Sequence, residues 1–290
     1  MINENDANDL ALVYLARGKD AGLEPVFRFA AAYNTFSAGC HHKLYVIMKG
    51  WEGAMESEKN KAIKLFKDLG AEIIETKDDG FDWGAYIRFS NINKSSFYCF
   101  LNTFSRPTTN NWLLHLFNCI KREDVGICGS SGSIMGWRFK FPLTSIKSTD
   151  CLLTPFRIGI RIIWHFRQIK YYPAKLSPHI RSNGFIVKGK QFRKFAAISN
   201  FPRTKLDVYR LESGIKSYSN YILELNQNLI IVDSLGEEYE VKDWSNSNTY
   251  CCPGQPGLII ADNNTDLYDQ KTYIQRQRME YDTWGRVITQ

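Results

Sequence analysis

With 290 residues, 44% of them hydrophobic and 14% aromatic, the chain has ample material for a packed core and does not have the make-up of a disordered polymer. No apolar run reaches the roughly 18 residues that a membrane-spanning helix needs, and Met1-Ile2-Asn3-Glu4-Asn5-Asp6 lacks the basic-then-apolar build of a secretion signal, so a cytosolic location is expected. The formal net charge of +7 gathers in the middle of the chain, from Arg138 and Lys147 through Arg157, Arg167 and Arg181 to Arg210, which suits phosphates, an anionic membrane face or RNA without choosing among them.

In chain order, residues 10–16 form a continuous apolar run that reads as a buried first strand, with Arg17-Gly18-Lys19-Asp20 as the polar turn behind it. A helix follows over residues 23–37, with Pro25 in its first turn, where a missing N–H costs nothing. Residues 43–49 read as the second strand. Residues 56–69 then place Ala62, Ile63, Leu65, Phe66 and Leu69 at helical spacing, and Gly70 supplies the stop. A short third strand over 71–76 leads into the acidic, glycine-broken segment Asp78-Asp79-Gly80-Phe81-Asp82-Trp83-Gly84-Ala85-Tyr86, and residues 97–101 make the fourth strand. A helix over 112–117 and a strand over 125–128 follow. Residues 151–169, apolar with interspersed arginines, read as a helix laid on the sheet, with a bilayer surface as the alternative bed. Residues 184–187, 229–233 and 258–260 read as further strands.

This alternation predicts an α/β fold: a mostly parallel, Rossmann-like central sheet flanked by helices, with right-handed crossovers. A ligand crevice is expected where the strands end, at the carboxyl edge of the sheet. No repeat or long linker breaks the chain, so one continuous body over residues 1–290 is expected.

Several polar residues fall at that edge. Asp82 lies between Gly80 and Gly84, which would let backbone approach a ligand while the carboxylate accepts from a ribose or base; the plainer alternative is a turn leading to a helix cap. Asn102, Thr103 and Ser105 close the fourth strand, and the guanidinium of Arg106 matches phosphate oxygens in a fork, the alternative being a surface arginine before Pro107. Gly129-Ser130-Ser131-Gly132-Ser133 offers hydroxyls and amides to a sugar or phosphate. His179 and Arg181 supply a base and a cation near the basic middle, with His41 and His42 ranked lower. Glu212 is a candidate general base, the rival role being a carboxylate at a helix N-terminus, and Asp262 follows the last predicted strand.

The usual hardware of several chemistries is missing from the sequence. There is no Gly-Lys-Ser/Thr phosphate loop, no GxGxxG after the first strand, no Gly-x-Ser-x-Gly elbow and no His-Glu-x-x-His pair. The seven cysteines are scattered and odd in number, which argues against structural disulfides, and the adjacent Cys251 and Cys252 lack zinc-ligand spacing. The aromatics are spread through predicted core elements, so a nucleic-acid platform is not expected.

Five segments in order resemble the nucleotide-sugar glycosyltransferases of the GT-A fold, and most closely those of the rhamnan-synthesis and lipopolysaccharide type: Gly80-Phe81-Asp82-Trp83-Gly84, the strand ending Leu101-Asn102, His179-Ile180-Arg181-Ser182-Asn183-Gly184-Phe185, Leu211-Glu212-Ser213-Gly214, and Leu258 to Thr265. The resemblance implies a GT-A-like domain with a nucleotide-sugar-binding half (1–135) and a C-terminal acceptor-side lobe carrying catalysis (136–290). It implies that a nucleotide sugar, UDP-linked being the first to try, sits near Tyr14, Ala16, Arg17 and Asp82, with Asn102, Thr103 and Arg106 beside it. Glu212 would be the base, His179 the second choice, and Arg181 would steady the leaving group; inverting and retaining courses both stay open. The acceptor implied is a saccharide or lipid-linked glycan of surface polysaccharide, lipopolysaccharide or capsule synthesis, with peripheral contact at the inner face of the cytoplasmic membrane. Relatives commonly end the fourth strand in Asp-x-Asp, which holds Mn or Mg under the diphosphate, whereas this chain has Asn102-Thr103-Phe104. Neutral oxygens hold a hard cation less well, and Asp262 or His179 would have to supply ligands from elsewhere. A noncatalytic saccharide- or nucleotide-binding protein of the same fold is the alternative, and an RNA-binding protein draws only on the charge.

Overall fold

The computed structural model describes residues 9–53, 56–136, 170–173 and 176–289. The helix expected over 151–169, and the basic residues from Arg138 to Arg167 together with Lys175, lie outside the described residues. No helix among the described residues is long and apolar enough to cross a membrane.

The first strands are β1 (Leu10–Arg17), β2 (Lys43–Lys49), β3 (Glu72–Glu75) and β4 (Phe97–Leu101), followed by the two-residue β5 (Arg106–Pro107). β6 (Val125–Gly129) comes next, then the short β7 (Gly132–Ser133) and β8 (His179–Ile180). β9 (Gly184–Lys188), β10 (Asn228–Val232), β11 (Glu238–Glu240) and β12 (Ile260–Ala261) complete the set. One sheet has the order β11-β10-β6-β9-β4-β1-β2-β3. Its β4-β1-β2-β3 side is parallel throughout, and β6 pairs β10 in parallel. β9 runs antiparallel between β4 and β6, and β11 closes the far edge antiparallel to β10. Helices cover both faces. This is a mixed, mostly parallel sheet in a Rossmann-like, GT-A-like α/β fold.

The apolar runs read as buried strands because alternate residues enter two different cores. Along β1, Ala11, Val13 and Leu15 join Tyr45, Ile47, Tyr98, Phe100 and Phe185 under the helices Phe81–Ile92 and Gly189–Ile198. Leu10, Leu12, Tyr14 and Ala16 point the other way, against the helices Glu24–Thr35, Glu56–Asp68 and Trp112–Ile120. Each face therefore buries a full set of large side chains, each contributing roughly 1.5–3 kcal/mol of transfer free energy.

The third crossover is a helix, Phe81–Ile92, where the sequence suggested a glycine-broken turn. It has no polar stripe to reveal it: Trp83, Gly84, Ala85, Tyr86, Ile87, Phe89 and Ser90 are all buried, because the sheet lies on one side and helices from the second half of the chain on the other. The direction of β9 matters most for function. Its first residue, Gly184, pairs with Leu101 at the end of β4, so the stretch from His179 to Asn183 lies along the carboxyl edge where the parallel strands stop.

Candidate functional site

A cleft of about 630 Å³ opens at this carboxyl edge. One wall comes from the first half of the chain: Leu15 and Arg17 on β1, Phe81 and Asp82 at the start of their helix, and Asn102 and Thr103 beyond β4. The facing wall comes from the second half: His179, Arg181, Ser182 and Asn183, then Lys205, Tyr209 and Glu212 on the Lys205–Ser213 helix, with Tyr250 and Asp262 at the far end.

The first wall is braced by a charged cluster. The guanidinium of Arg17 donates to Asp78 through Nε at 2.7 Å and Nη2 at 3.2 Å, and to Asp20 through Nη1 at 2.7 Å. Those bonds, with Lys19 at 2.9 Å, hold the Asp78 carboxyl down to about 2. Behind it Lys49 is almost wholly buried, and its Nζ donates to the carbonyls of Asp79 at 2.8 Å and Phe81 at 2.7 Å. Burial lowers the Lys49 pKa, opposed chiefly by Asp78. The end of β2 thus ties down the turn that delivers Asp82.

Two carboxylates meet on one serine. Asp82 Oδ2 accepts from the Ser182 hydroxyl at 3.1 Å, and Glu212 Oε1 accepts from the Ser182 backbone N–H at 3.0 Å. Burial pushes the Asp82 carboxyl above its ordinary value; the charge of Glu212 adds to this and Lys205 opposes it. Glu212 lies in the last turn of its helix, which removes the reading of a carboxylate at a helix N-terminus. His179 Nδ1 faces the Ser177 carbonyl at 2.7 Å, so the neutral ring carries its proton there and the Nε2 lone pair is the basic one.

Arg181 stacks on the Tyr250 ring, 3.8 Å from its centroid, and pairs with Asp262 Oδ2 at 3.0 Å. Burial, the largest single influence, works against its charge, but Asp262, Tyr250, Cys251 and Glu212 together outweigh it and raise its pKa. The other oxygen of Asp262 caps the helix Asn263–Asp269, accepting from the N–H groups of Asn264 at 3.0 Å and Thr265 at 2.8 Å. As a metal ligand, then, Asp262 is a poor choice: both its oxygens are engaged. Asn102 is similarly occupied, its Oδ1 accepting from the Phe104 N–H at 3.0 Å and the Ser105 hydroxyl at 2.9 Å to shape the turn after β4. Among the described residues no three His, Cys, Asp or Glu side chains converge as a metal site. Among the described residues this donor set does not fit Mn or Mg.

Other expected residues fall elsewhere. Tyr14 and Ala16 are fully buried on the opposite face from Arg17, as strand alternation requires: Tyr14 stacks on Phe29 with centroids 3.9 Å apart and donates to the Thr103 carbonyl at 2.6 Å, while the Ala16 carbonyl accepts from Trp51. Arg106 forms a fork with Asp266, at 2.6 and 3.1 Å, outside the cleft lining, where β5 pairs with β12. Ser130 and Ser131 are buried, leaving only Ser133 of the Gly129–Ser133 stretch at the cleft. Gly80 and Gly84 receive a side chain and not a ligand: a Cβ added to either would lie within 2.4 and 2.9 Å, respectively, of the Phe201 ring. Lys49, Ser182, Asn183, Lys205 and Tyr250 had no assigned part in the sequence. Ser182 and Asn183 sit inside a quoted segment, whereas nothing local marks Lys49 or Tyr250.

No protein-family model matches the chain, and no curated protein matches it. Among solved structures it is similar to a mannosyltransferase from Pyrobaculum calidifontis in complex with GDP-mannose and Mn2+, with a TM-score of 0.45 and 7% identity over 83% of this chain and 60% of that one. It is also similar to a 4-diphosphocytidyl-2C-methyl-D-erythritol synthase from Anaerococcus prevotii, with a TM-score of 0.44 and 7% identity over 78% of this chain and 89% of that one. A CMP:2-keto-3-deoxy-manno-octonic acid synthetase complexed with CTP gives a TM-score of 0.41 and 10% identity over 77% and 88% of the two chains. The chain thus spans 60% of the length of the mannosyltransferase.

Proposed function

We propose that the cleft binds a nucleotide sugar and that the protein transfers the sugar to a hydroxyl of a saccharide or lipid-linked glycan acceptor. The observation that carries this reading is that Arg17, Asp82 and Asn102 from one half of the chain, and His179, Arg181 and Glu212 from the other, line a single cleft at the carboxyl edge of the sheet. In this reading the first wall (residues 1–135) takes the nucleotide, with Asp82 accepting from the ribose or base, and the second (136–290) takes the acceptor.

In a single displacement, the acceptor hydroxyl attacks the anomeric carbon, its proton passes to Glu212, and the nucleoside diphosphate leaves with the electron pair of the broken bond. The Ser182 N–H holds Oε1 of Glu212, and the second oxygen takes the proton. Arg181 and Lys205 supply positive charge toward the departing diphosphate, and Arg181 keeps its charge because Asp262 stands beside it. A lipid-linked acceptor would bring the protein to a membrane face, which flotation with anionic vesicles at low salt tests.

The direct test measures nucleoside diphosphate release across UDP- and GDP-sugars with saccharide and lipid acceptor extracts, with and without Mn2+ or Mg2+. Release with at least one donor is expected. No release with any of them, together with no donor-dependent rise in melting temperature, would overturn the proposal. Glu212→Gln should cut turnover by at least about 100-fold while leaving donor binding within about twofold; retained turnover would remove Glu212 from the role of base.

A further inference from the structure

The helix Lys205–Ser213 works on two sides. Val208 and Leu211 are buried in the core that also holds Tyr218 and Ile222, while Lys205, Tyr209 and Glu212 line the cleft at i, i+4 and i+7. Residues three and four apart on one helix face stand about 5–6 Å from each other at Cβ, so Tyr209 is the immediate neighbour of both the cation and the proposed base. Phe81 and Phe104, which also line the cleft, are half-buried and Tyr250 is buried, whereas 38% of Tyr209 is exposed. The ring of Tyr209, and not its backbone alone, stands at the cleft: the Lys205 ammonium lies 5.5 Å from its centroid and 5.6 Å from that of Phe81 on the opposite wall. A large ring that folding leaves uncovered beside the proposed base is a surface offered to a ligand.

A sugar ring is amphipathic. Its hydroxyls project from the rim, and its face presents C–H groups, polarised by the neighbouring oxygens, that match the negative face of an aromatic ring. The spacing from Tyr209 to Glu212 is about 5–6 Å, roughly the width of a pyranose, so a sugar laid on the Tyr209 ring brings a hydroxyl of its rim to Glu212. A bare lipid phosphate has no such face: Lys205 and Arg181 would hold it, and Tyr209 would have no part. We infer that Tyr209 is a specificity-determining residue for the acceptor, stacking on the C–H face of its terminal sugar, so that the protein extends an existing saccharide and does not place the first sugar on a lipid phosphate. The inference rests on the proposed glycosyl transfer and names the class of acceptor.

The test follows nucleoside diphosphate release from a panel of UDP- and GDP-sugars, with methyl glycosides of hexoses and 6-deoxyhexoses or a short-chain polyprenyl phosphate as acceptor, and titrates UDP and GDP calorimetrically. The wild type should use at least one glycoside and not the polyprenyl phosphate. Tyr209→Ala should raise the KM for that glycoside by about tenfold while leaving nucleotide affinity within twofold, and Tyr209→Phe, which keeps the ring, should stay within about twofold of the wild-type KM. Alanine at an exposed helical position keeps the fold, and Tyr209→Gln, which keeps side-chain length without a ring, should repeat the alanine result. A glycoside KM in Tyr209→Ala within twofold of wild type would overturn the inference. So would a loss of nucleotide affinity in that variant, which would assign the ring to the base, and so would a wild type that binds UDP or GDP but uses no glycoside. A wild type that neither binds UDP or GDP nor releases either would refute the nucleotide-sugar reading itself, whereas a working wild type beside an equally good Tyr209→Ala refutes only the part given to Tyr209.

Discussion

Gly80→Ala offers a sharp test of how the Asp82 turn is built. Gly80 has φ +66°, and a Cβ there would lie 2.4 Å from Phe201 Cζ and 2.9 Å from the Cα of Gly84. The left-handed backbone costs an alanine about 1–2 kcal/mol. The Phe201 ring is half-buried, with the Arg88 guanidinium 4.6 Å from its centroid, so it can shift outward for roughly 1 kcal/mol; the Gly84 Cα belongs to the first turn of the helix and has no such freedom. We expect Gly80→Ala to destabilise the fold by about 3 kcal/mol. Gly84→Ala meets the same ring at 2.9 Å but in helical backbone, where alanine gains about 1 kcal/mol of propensity, so it should stay within roughly 1 kcal/mol of wild type. Urea unfolding reads both as a change in midpoint at constant slope. In the double variant Gly80→Ala, Phe201→Ala, the part of the cost due to the ring should disappear and the backbone part remain. A Gly80→Ala cost below about 1 kcal/mol, or one smaller than that of Gly84→Ala, would refute this account of the turn.

Asp262→Asn keeps an oxygen to cap its helix but removes the charge facing the buried guanidinium of Arg181, and should cost about 3 kcal/mol in urea unfolding; a near-neutral result would mean that the pair is not the anchor of that wall. Asp78 is held at about 2 by Arg17, below the roughly 3.9 of an unfolded chain, so its contribution is complete above about pH 4 and is lost as the pH falls toward 2. Wild type and Asp78→Asn should therefore differ in melting temperature near neutral pH and converge on acidification, and a gap that stays constant with pH would contradict the assignment.

Much of the frame is legible in the chain itself. Residues 10–16, 44–48 and 97–101 are unbroken apolar runs because those strands are covered on both faces, and their alternation with helices implies a parallel sheet and a crevice at its carboxyl edge. Arg17, Asp82, Asn102, Thr103, His179, Arg181 and Asp262 could be placed at that edge because each lies close to a strand end, whereas Glu212 lies in a helix and stands out only as a candidate base. The alternation along β1 could have separated Arg17 from Tyr14 and Ala16 as well, had the face bearing the cleft been known.

What a residue meets there is decided only by the folded chain. Arg106 is drawn to Asp266 and not to the cleft, Gly80 and Gly84 make room for Phe201, and Asp262 is taken by Arg181, because antiparallel β9 and the last helices return distant segments to the same edge. Local pattern determines whether a stretch buries one face or two, since that depends on the spacing of its own side chains. Hydrogen-bond and charge partners depend on which remote segments arrive at the same point in space, and no spacing within one stretch encodes that.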